Sequence, residues 1–499
     1  MAEEPRSWPR SRSGRPDRGL GKLGPLEAPF KICRVPTTEA PRDDRLLPRD
    51  RASRNVARHL YEQVAGAPII SPHGHVPAQL LADDEPFRDP ATLFVSSDHY
   101  VTRQLHASGV RLDALSVAHG ADPREVWRTL AGRAHVLAGT ASAFWLRDEL
   151  ASVFRIQDEL TPDNADEVFD RISALLRQPE YRPRALFNRF GIRVLATTDD
   201  PLDPLDAHQA LRDSGTFTGR VVPTLRADGY IDPAGANFHI NAERLLASAG
   251  APATFAGYLS ALKERRAYFI ERGAVSVDVG VTDPATAELT APEAEDLFQR
   301  ALMQGLSTED QRMFRAHMLL QLAGMSVDDG LVLTIHAGVF RNHSTATFNR
   351  FGPDTGHDIP VPVTFTRELR PLLDRFGLEP NLHLILFTVD ETTFSRELAP
   401  LAGFYPSVYV GAPWWFLDAP DAILRWRSAV TETAGFYRTS GFIDDTRAFL
   451  SIPARHDVAR RTDASFLARY VMQGRITLPM AERIAADLVD LIPAAAFKL

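Results

Sequence analysis

Pro68-Ile69-Ile70-Ser71-Pro72-His73-Gly74-His75 decides how this chain is read. A short β-branched apolar run ends in a polar residue, and two histidines follow at i and i+2. The run reads as a buried strand, and the spacing turns both imidazoles to the same side just beyond its end. Seven further runs have the same character: Arg193–Thr198, Arg220–Leu225, Ala274–Gly280, Leu331–His336, Leu382–Phe387, Ser407–Gly411 and Gly441–Asp445. Helical patterns separate most of them. Eight buried strands alternating with helices predict a parallel sheet closed into an α/β, distorted (β/α)8 TIM barrel. The gap after the first strand is far too long for one crossover helix. A helical insertion is therefore expected there, over about 105–187, with Val126, Leu130, Val136 and Leu137 at helical spacing.

Length agrees with one large unit. The 499 residues are 44% hydrophobic and 24% charged, enough to bury a core and too apolar for a disordered chain. Residues 1–48 differ: they are proline-rich, and Arg6, Arg10, Arg12, Arg15, Arg18 and Lys22 face a single acid, Asp17, over residues 5–22. This is expected to be a disordered or extended tail, with the barrel occupying 49–499 and order starting near Arg51. No apolar run is long enough to span a bilayer, so no membrane association is expected. The net charge of −8 argues against a general nucleic-acid partner. The lone cysteine, Cys33, excludes a disulfide framework and a cysteine-based zinc site, and it suggests a reducing, cytoplasmic setting. Metal or acid–base chemistry then falls to the 15 histidines and their acidic neighbours.

In such barrels, polar residues at the C-terminal strand ends meet in one site. The first strand supplies His73 and His75, the fifth ends at His336, and the eighth runs into Asp444-Asp445-Thr446-Arg447. Three imidazoles and a carboxylate suit one Zn²⁺ or a similar divalent ion. Each piece alone is ordinary: a His-x-His pair is often packing, and a lone strand histidine is often a bonded core residue. Their shared placement favours the metal.

The same pattern resembles the amidohydrolase superfamily. Its binuclear hydrolases add a lysine after the fourth strand, where this chain has Val277-Asp278-Val279-Gly280, so the resemblance implies one ion. More specific segments resemble the uronate (glucuronate) isomerase family from about Pro68 to about Leu467. They are Phe94–Tyr100, Ala196–Pro201, Val222–Asp228, His336–His343, Arg350–Gly356, Trp414-Trp415-Phe416 and Asp445–Phe449. The family commonly has Asp-His-Gly where Asp278-Val279-Gly280 stands here.

The resemblance implies an aldose–ketose isomerase that moves a proton between C2 and C1 of an open-chain hexuronate. The expected pairs are D-glucuronate with D-fructuronate and D-galacturonate with D-tagaturonate. The metal ligands would be His73, His75, His336 and Asp445. Asp445 would also be the base, so ligand and base readings compete for it. Arg447 would orient Asp445 or stabilise the enediolate, and His99 and Tyr100 would contact sugar oxygens. Arg226 would grip the substrate carboxylate, with Arg341 second, and Trp414 or Trp415 would pack on the sugar. Thr198, Asp199 and Asp200 read as helix-capping and loop-ordering residues. Two rivals stand beside this reading: a mononuclear metal-dependent hydrolase of the same superfamily, and a sugar-acid binder without catalysis. Self-association is left open between monomer and homo-oligomer.

Overall fold

The computed structural model describes residues 44–499. The expected tail lies outside the described residues except for its last few positions. Residues Leu46–Leu499 form one compact unit.

The first helix, Arg51–Val64, starts where the Asp50 side chain accepts from the Ser53 amide. Its Leu60 and Val64 bury against Phe466, Leu467 and Ile484 of the C-terminal helices. It delivers the chain to β1 (Ile69–Ser71), which pairs in parallel with β2 (Ile192–Ala196), and β2 pairs with β3 (Arg220–Val222). Pro223 then breaks the ladder, because proline has no N–H to donate. The strand resumes as β4 (Thr224–Arg226) and pairs instead with β5 (Ser276–Val281). The run predicted as Arg220–Leu225 is thus two strands that hand the sheet from one half to the other. An isolated bridge between Asp199 and Leu225 joins the halves.

The second half continues in parallel through β6 (Val332–Ala337), β7 (Leu384–Thr388) and β8 (Val408–Val410). Leu333, Ile335, Leu384 and Leu386 are fully buried, as strands covered on both faces require. The run predicted as an eighth strand, Gly441–Asp445, is irregular. Thr439 bridges Val410, but Gly441 follows in the left-handed region (φ 72°) and ends the ladder. A side chain at Gly441 would meet Pro493 at 2.8 Å, so only glycine fits this turn. Closure comes instead from the His75 amide, which donates to the Thr446 carbonyl at 3.0 Å. The barrel is distorted at this seam.

Between β1 and β2 the regular elements are all helical, from Ala78–Asp83 to Pro183–Arg189. Trp127, Leu130, Phe154, Ile172 and Leu186 give this region a core that merges with Ile69 and Leu195 of the barrel. The buried Trp127 indole donates to the Ala165 carbonyl at 2.9 Å. The helix His99–Ala107 of this region is aimed at the barrel mouth. Asp98 caps it, accepting from the Tyr100 amide.

Candidate active site at the barrel mouth

The C-terminal ends of the strands, the start of helix His99–Ala107 and the loop after β6 enclose a cavity of about 240 Å³. His75, His99, Tyr100, Arg226, Arg341, Trp414, Asp445 and Arg447 all line it. His73 and His336 lie just beneath, buried.

Asp445 is the centre of charge. Its φ of 41° is left-handed, a costly conformation for an aspartate that turns the chain out of the strand direction. Its Oδ1 lies 2.9 Å from His75 Nε2 and 3.4 Å from His73 Nε2. Burial alone would raise this carboxyl. The two imidazoles outweigh burial and hold it well below the usual range, so it is ionised.

Two of the three histidines are aimed by a hydroxyl or carboxylate behind them. His75 Nδ1 meets Thr198 Oγ1 at 2.7 Å. His336 Nδ1 donates to Asp278 Oδ1 at 2.8 Å, and Thr334 Oγ1 donates to the same oxygen at 2.6 Å. Burial would raise Asp278, but His336 and His73 beside it lower it, so it accepts as a carboxylate. The proton therefore sits on His336 Nδ1, and the Nε2 lone pair faces the cluster. Burial holds His75 neutral, down to about 4. Burial pushes His73 down as well, yet Asp278 and Asp445 overcome it and raise His73. Two carboxylates thus ask for a cation at this point.

Two of these atoms, His73 Nδ1 and His336 Nε2, are buried without a hydrogen-bond partner. Orphans of this kind cost about 1–3 kcal/mol each unless something completes them. His73, His336 and Asp445 each bring a ligand atom within 4.8 Å of the others. Two imidazoles and a carboxylate fit a borderline divalent ion such as Zn²⁺. His75, expected as a fourth ligand, stands outside that trio, fastened to Thr198 and beside Asp445.

The wall residues are paired as well. Arg226 Nε donates to Asp228 Oδ2 at 3.1 Å, leaving its Nη1 3.5 Å from His75 Nδ1. Arg341 Nη1 donates to Asp358 Oδ2 at 2.9 Å. The two guanidiniums converge over Gly280: an added Cβ there would lie 3.6 Å from Arg341 Nη2 and 3.9 Å from Arg226 Nη2. It would also lie 2.8 Å from Asp228 Oδ1, so the absence of a side chain lets the acid and both cations gather. Trp414 meets His336 edge-on at 5.0 Å, and its buried indole N–H has no partner.

Two expected roles change. Arg447 does not orient Asp445; its Nη2 lies 3.0 Å from Asp354 Oδ2, on the loop after β6. The Tyr100 hydroxyl donates to the buried Asp418 at 3.0 Å, and burial raises this phenol well above its ordinary value. Tyr100 therefore lines the cavity with its proton committed to Asp418. His99 stacks on Tyr100 at 5.2 Å and is kept neutral first by burial.

Some contributors were not singled out from sequence. Thr198 was read as a capping residue, whereas it orients His75. Asp278 was noted only as a departure from a family pattern, whereas it anchors His336. The sheet register that sets it opposite Thr334 of β6 is decided only by the structure. Asp354, Asp358 and Asn342 reach the cavity from a long loop whose path no local pattern reveals.

Chemistry at the C-terminal mouth is the habit of parallel barrels, and a buried carboxylate flanked by aimed imidazoles marks this chain as an enzyme of that class. Residues 47–492 match the family described as glucuronate isomerase. The uronate isomerase of Rhizorhabdus wittichii is 50% identical over 457 residues, 91% of this chain and 98% of that protein. The crystal structure of glucuronate isomerase from Caulobacter crescentus aligns with a TM-score of 0.89 at 47% identity, covering 91% of this chain and 96% of that one. That of uronate isomerase from Thermotoga maritima aligns with a TM-score of 0.86 at 25% identity, covering 91% and 99%. The chain belongs to the glucuronate isomerase family.

Proposed function

We propose that this enzyme interconverts an aldohexuronate and a ketohexuronate, D-glucuronate with D-fructuronate and D-galacturonate with D-tagaturonate. The observation that carries the reading is Asp445: an ionised, buried carboxylate at the floor of a cavity ringed by arginines. An aldose–ketose isomerase needs a base that takes a proton from C2 and returns it to C1. It also needs fixed positive charge for the enediolate and a grip on the substrate carboxylate. Asp445 serves as the base. Arg226 and Arg341, converging over Gly280, hold the carboxylate and so set which carbon faces Asp445. Trp414 offers an unpartnered N–H and an apolar face. Arg447, His99 and Tyr100 also line the cavity, with Arg447 adding positive charge.

His73, His336 and Asp445, with His75 at their edge, would hold one divalent ion, proposed as Zn²⁺. Such an ion supplies Lewis-acid polarisation of the substrate's oxygens. The hydrolase alternative finds less support: Asp278, which stands where the binuclear hydrolases' lysine would be sought, is already engaged by His336 and Thr334. No helix among the described residues is long and apolar enough to cross a membrane. We place the enzyme in the cytoplasm, on its single cysteine and the expected small-sugar substrate.

The test is an isomerase assay over a panel of hexuronates, with metal-stripped and Zn²⁺-reconstituted protein, run in heavy water. Turnover with solvent deuterium entering at the transferred position is expected. No turnover of any hexuronate would sink the substrate assignment, and equal turnover of stripped protein would sink the ion.

A further inference from the structure

Asp445 owes its place to groups outside the ladder. After Thr439 bridges Val410, the chain leaves regular pairing, and Asp445 sits in the left-handed region. A base that must reach two adjacent carbons of one substrate cannot tolerate a loose mount. The local fixings are few. The Asp444 side chain meets His456 at 3.1 Å, the His75 amide donates to the Thr446 carbonyl, and one guanidinium reaches the Asp444 carbonyl at 3.3 Å.

That guanidinium is Arg455, on the first turn of helix Ile452–Met472 and only 1% exposed. Its Nη1 also donates to Asp418 Oδ2 at 2.7 Å, and its Nε donates to Ser451 Oγ at 2.9 Å. The plane lies over Trp145 at 3.6 Å. Asp418, itself 4% exposed, accepts the Tyr100 hydroxyl on the same oxygen. One buried cation therefore touches the peptide that carries the base and, through Asp418, the side chain of Tyr100, which also lines the cavity.

We propose that Arg455, with Asp418 as counter-ion, is a positioning residue that fixes the Asp444–Asp445 peptide and registers it against Tyr100. This deepens the isomerase reading, since it rests on Asp445 as the base. The geometry needs a fork. Nη1 bridges an oxygen from each partner while Nε holds Ser451, so a lysine would keep the charge on Asp418 but lose the span. Neutralising Asp418 alone would not require a contact with the Asp444 carbonyl.

The experiment compares wild type with Arg455→Lys in steady-state kinetics on D-glucuronate and in amide hydrogen exchange. The expected result is a kcat lowered by about 10–100-fold with KM within about threefold, as misplacement of a reacting group produces. The His75 amide, bonded to Thr446, is expected to exchange at least about tenfold faster, while amides of β6 and β7 keep their protection. Unchanged exchange at His75 overturns the proposal whatever the activity, and so does a wild-type kcat. Should Arg455→Lys fail to fold, Asp418→Asn takes its place. It leaves the arginine present but removes its counter-ion, with faster His75 exchange and a smaller kcat loss expected, and wild-type values again overturning the proposal. A wild type that turns over no hexuronate would refute the isomerase reading instead, and the exchange result would then decide the pin by itself.

Discussion

Asp445 concentrates the chemistry into one side chain, as the base and as one of the three residues that would hold the ion. Asp445→Asn keeps the shape and removes the base. The expected loss in kcat is about 10²–10⁴-fold, the range assigned to a positioned general base, with solvent deuterium no longer entering product. A variant that still exchanges deuterium at the wild-type rate would move the base elsewhere. Arg226 answers a different question. Arg226→Met removes a charge-assisted grip worth about 1.5–3 kcal/mol, so KM for D-glucuronate should rise by about 10–100-fold. The kcat should change less, because Asp445 stays in place and Arg226 reaches only His75 among the imidazoles, at 3.5 Å. A KM within twofold of wild type would pass the carboxylate grip to Arg341. At this scale the sequence was a good guide to which residue types matter and a poor one to their partners. His73, His75, His336 and Asp445 were legible from strand ends. The Thr198 hydroxyl behind His75 and the Asp354 partner of Arg447 were not, because both pairings join residues more than 90 positions apart.

Among the elements, the loop between β6 and β7 matters most for access. Its two short ladder segments, Val339–Phe340 and Ile359–Pro360, clasp a turn that carries Arg341, Asn342, Asp354 and Asp358 to the cavity. Gly356 in this loop has φ 84° and packs so closely on helix His99–Ala107 that an added Cβ would lie 2.6 Å from Arg103 Cβ. Gly356→Ala must therefore lift the loop away from the helix. KM is expected to rise about tenfold or more, with global stability lowered by only about 1–2 kcal/mol, the scale of a left-handed non-glycine residue. Steady-state kinetics with urea unfolding checks both halves, and an unchanged KM would show that the loop does not shape the cavity. Sequence patterning found the strands here because burial on both faces writes a continuous apolar run. It missed the break at Pro223 and the irregular Gly441–Asp445 run. In both places the deciding fact is which neighbour a backbone amide finds.

Over the whole molecule, buried titratable groups behind the site set the pH range of the fold. Burial raises Asp199 to about 7, and burial lowers His208 to about 4. Thr197 bonds both, donating to Asp199 at 2.6 Å and lying 2.9 Å from His208 Nε2. For His208, the unfolded chain takes a proton near 6.5 while the fold resists it to about 4, so stability is full above 6.5 and falls between 6.5 and 4. For Asp199, the unfolded chain ionises near 3.8 while the fold keeps its proton to about 7, so stability is full below 3.8 and is lost as pH rises to 7. The two slopes oppose each other over most of this range. Asp199→Asn removes the second, so its stability relative to wild type should climb between pH 4 and 8, by a few kcal/mol at most. Denaturant unfolding at pH 4, 6 and 8 measures this, and a pH-independent difference would show that Asp199 titrates normally in the fold.

What the sequence determined by itself is the list of parts and their order: short apolar runs, helical spacers, and histidines and acids placed just past strand ends. Such features are local, written in periodicity and in the residue that follows a run. The tertiary structure decided which of them meet. It put Asp278 behind His336, drew Arg226 and Arg341 together over Gly280, committed the Tyr100 proton to Asp418, and closed the barrel through His75 and Thr446. The reason is that a hydrogen bond or ion pair depends on distance in space, and a barrel brings residues hundreds of positions apart within 3 Å of one another.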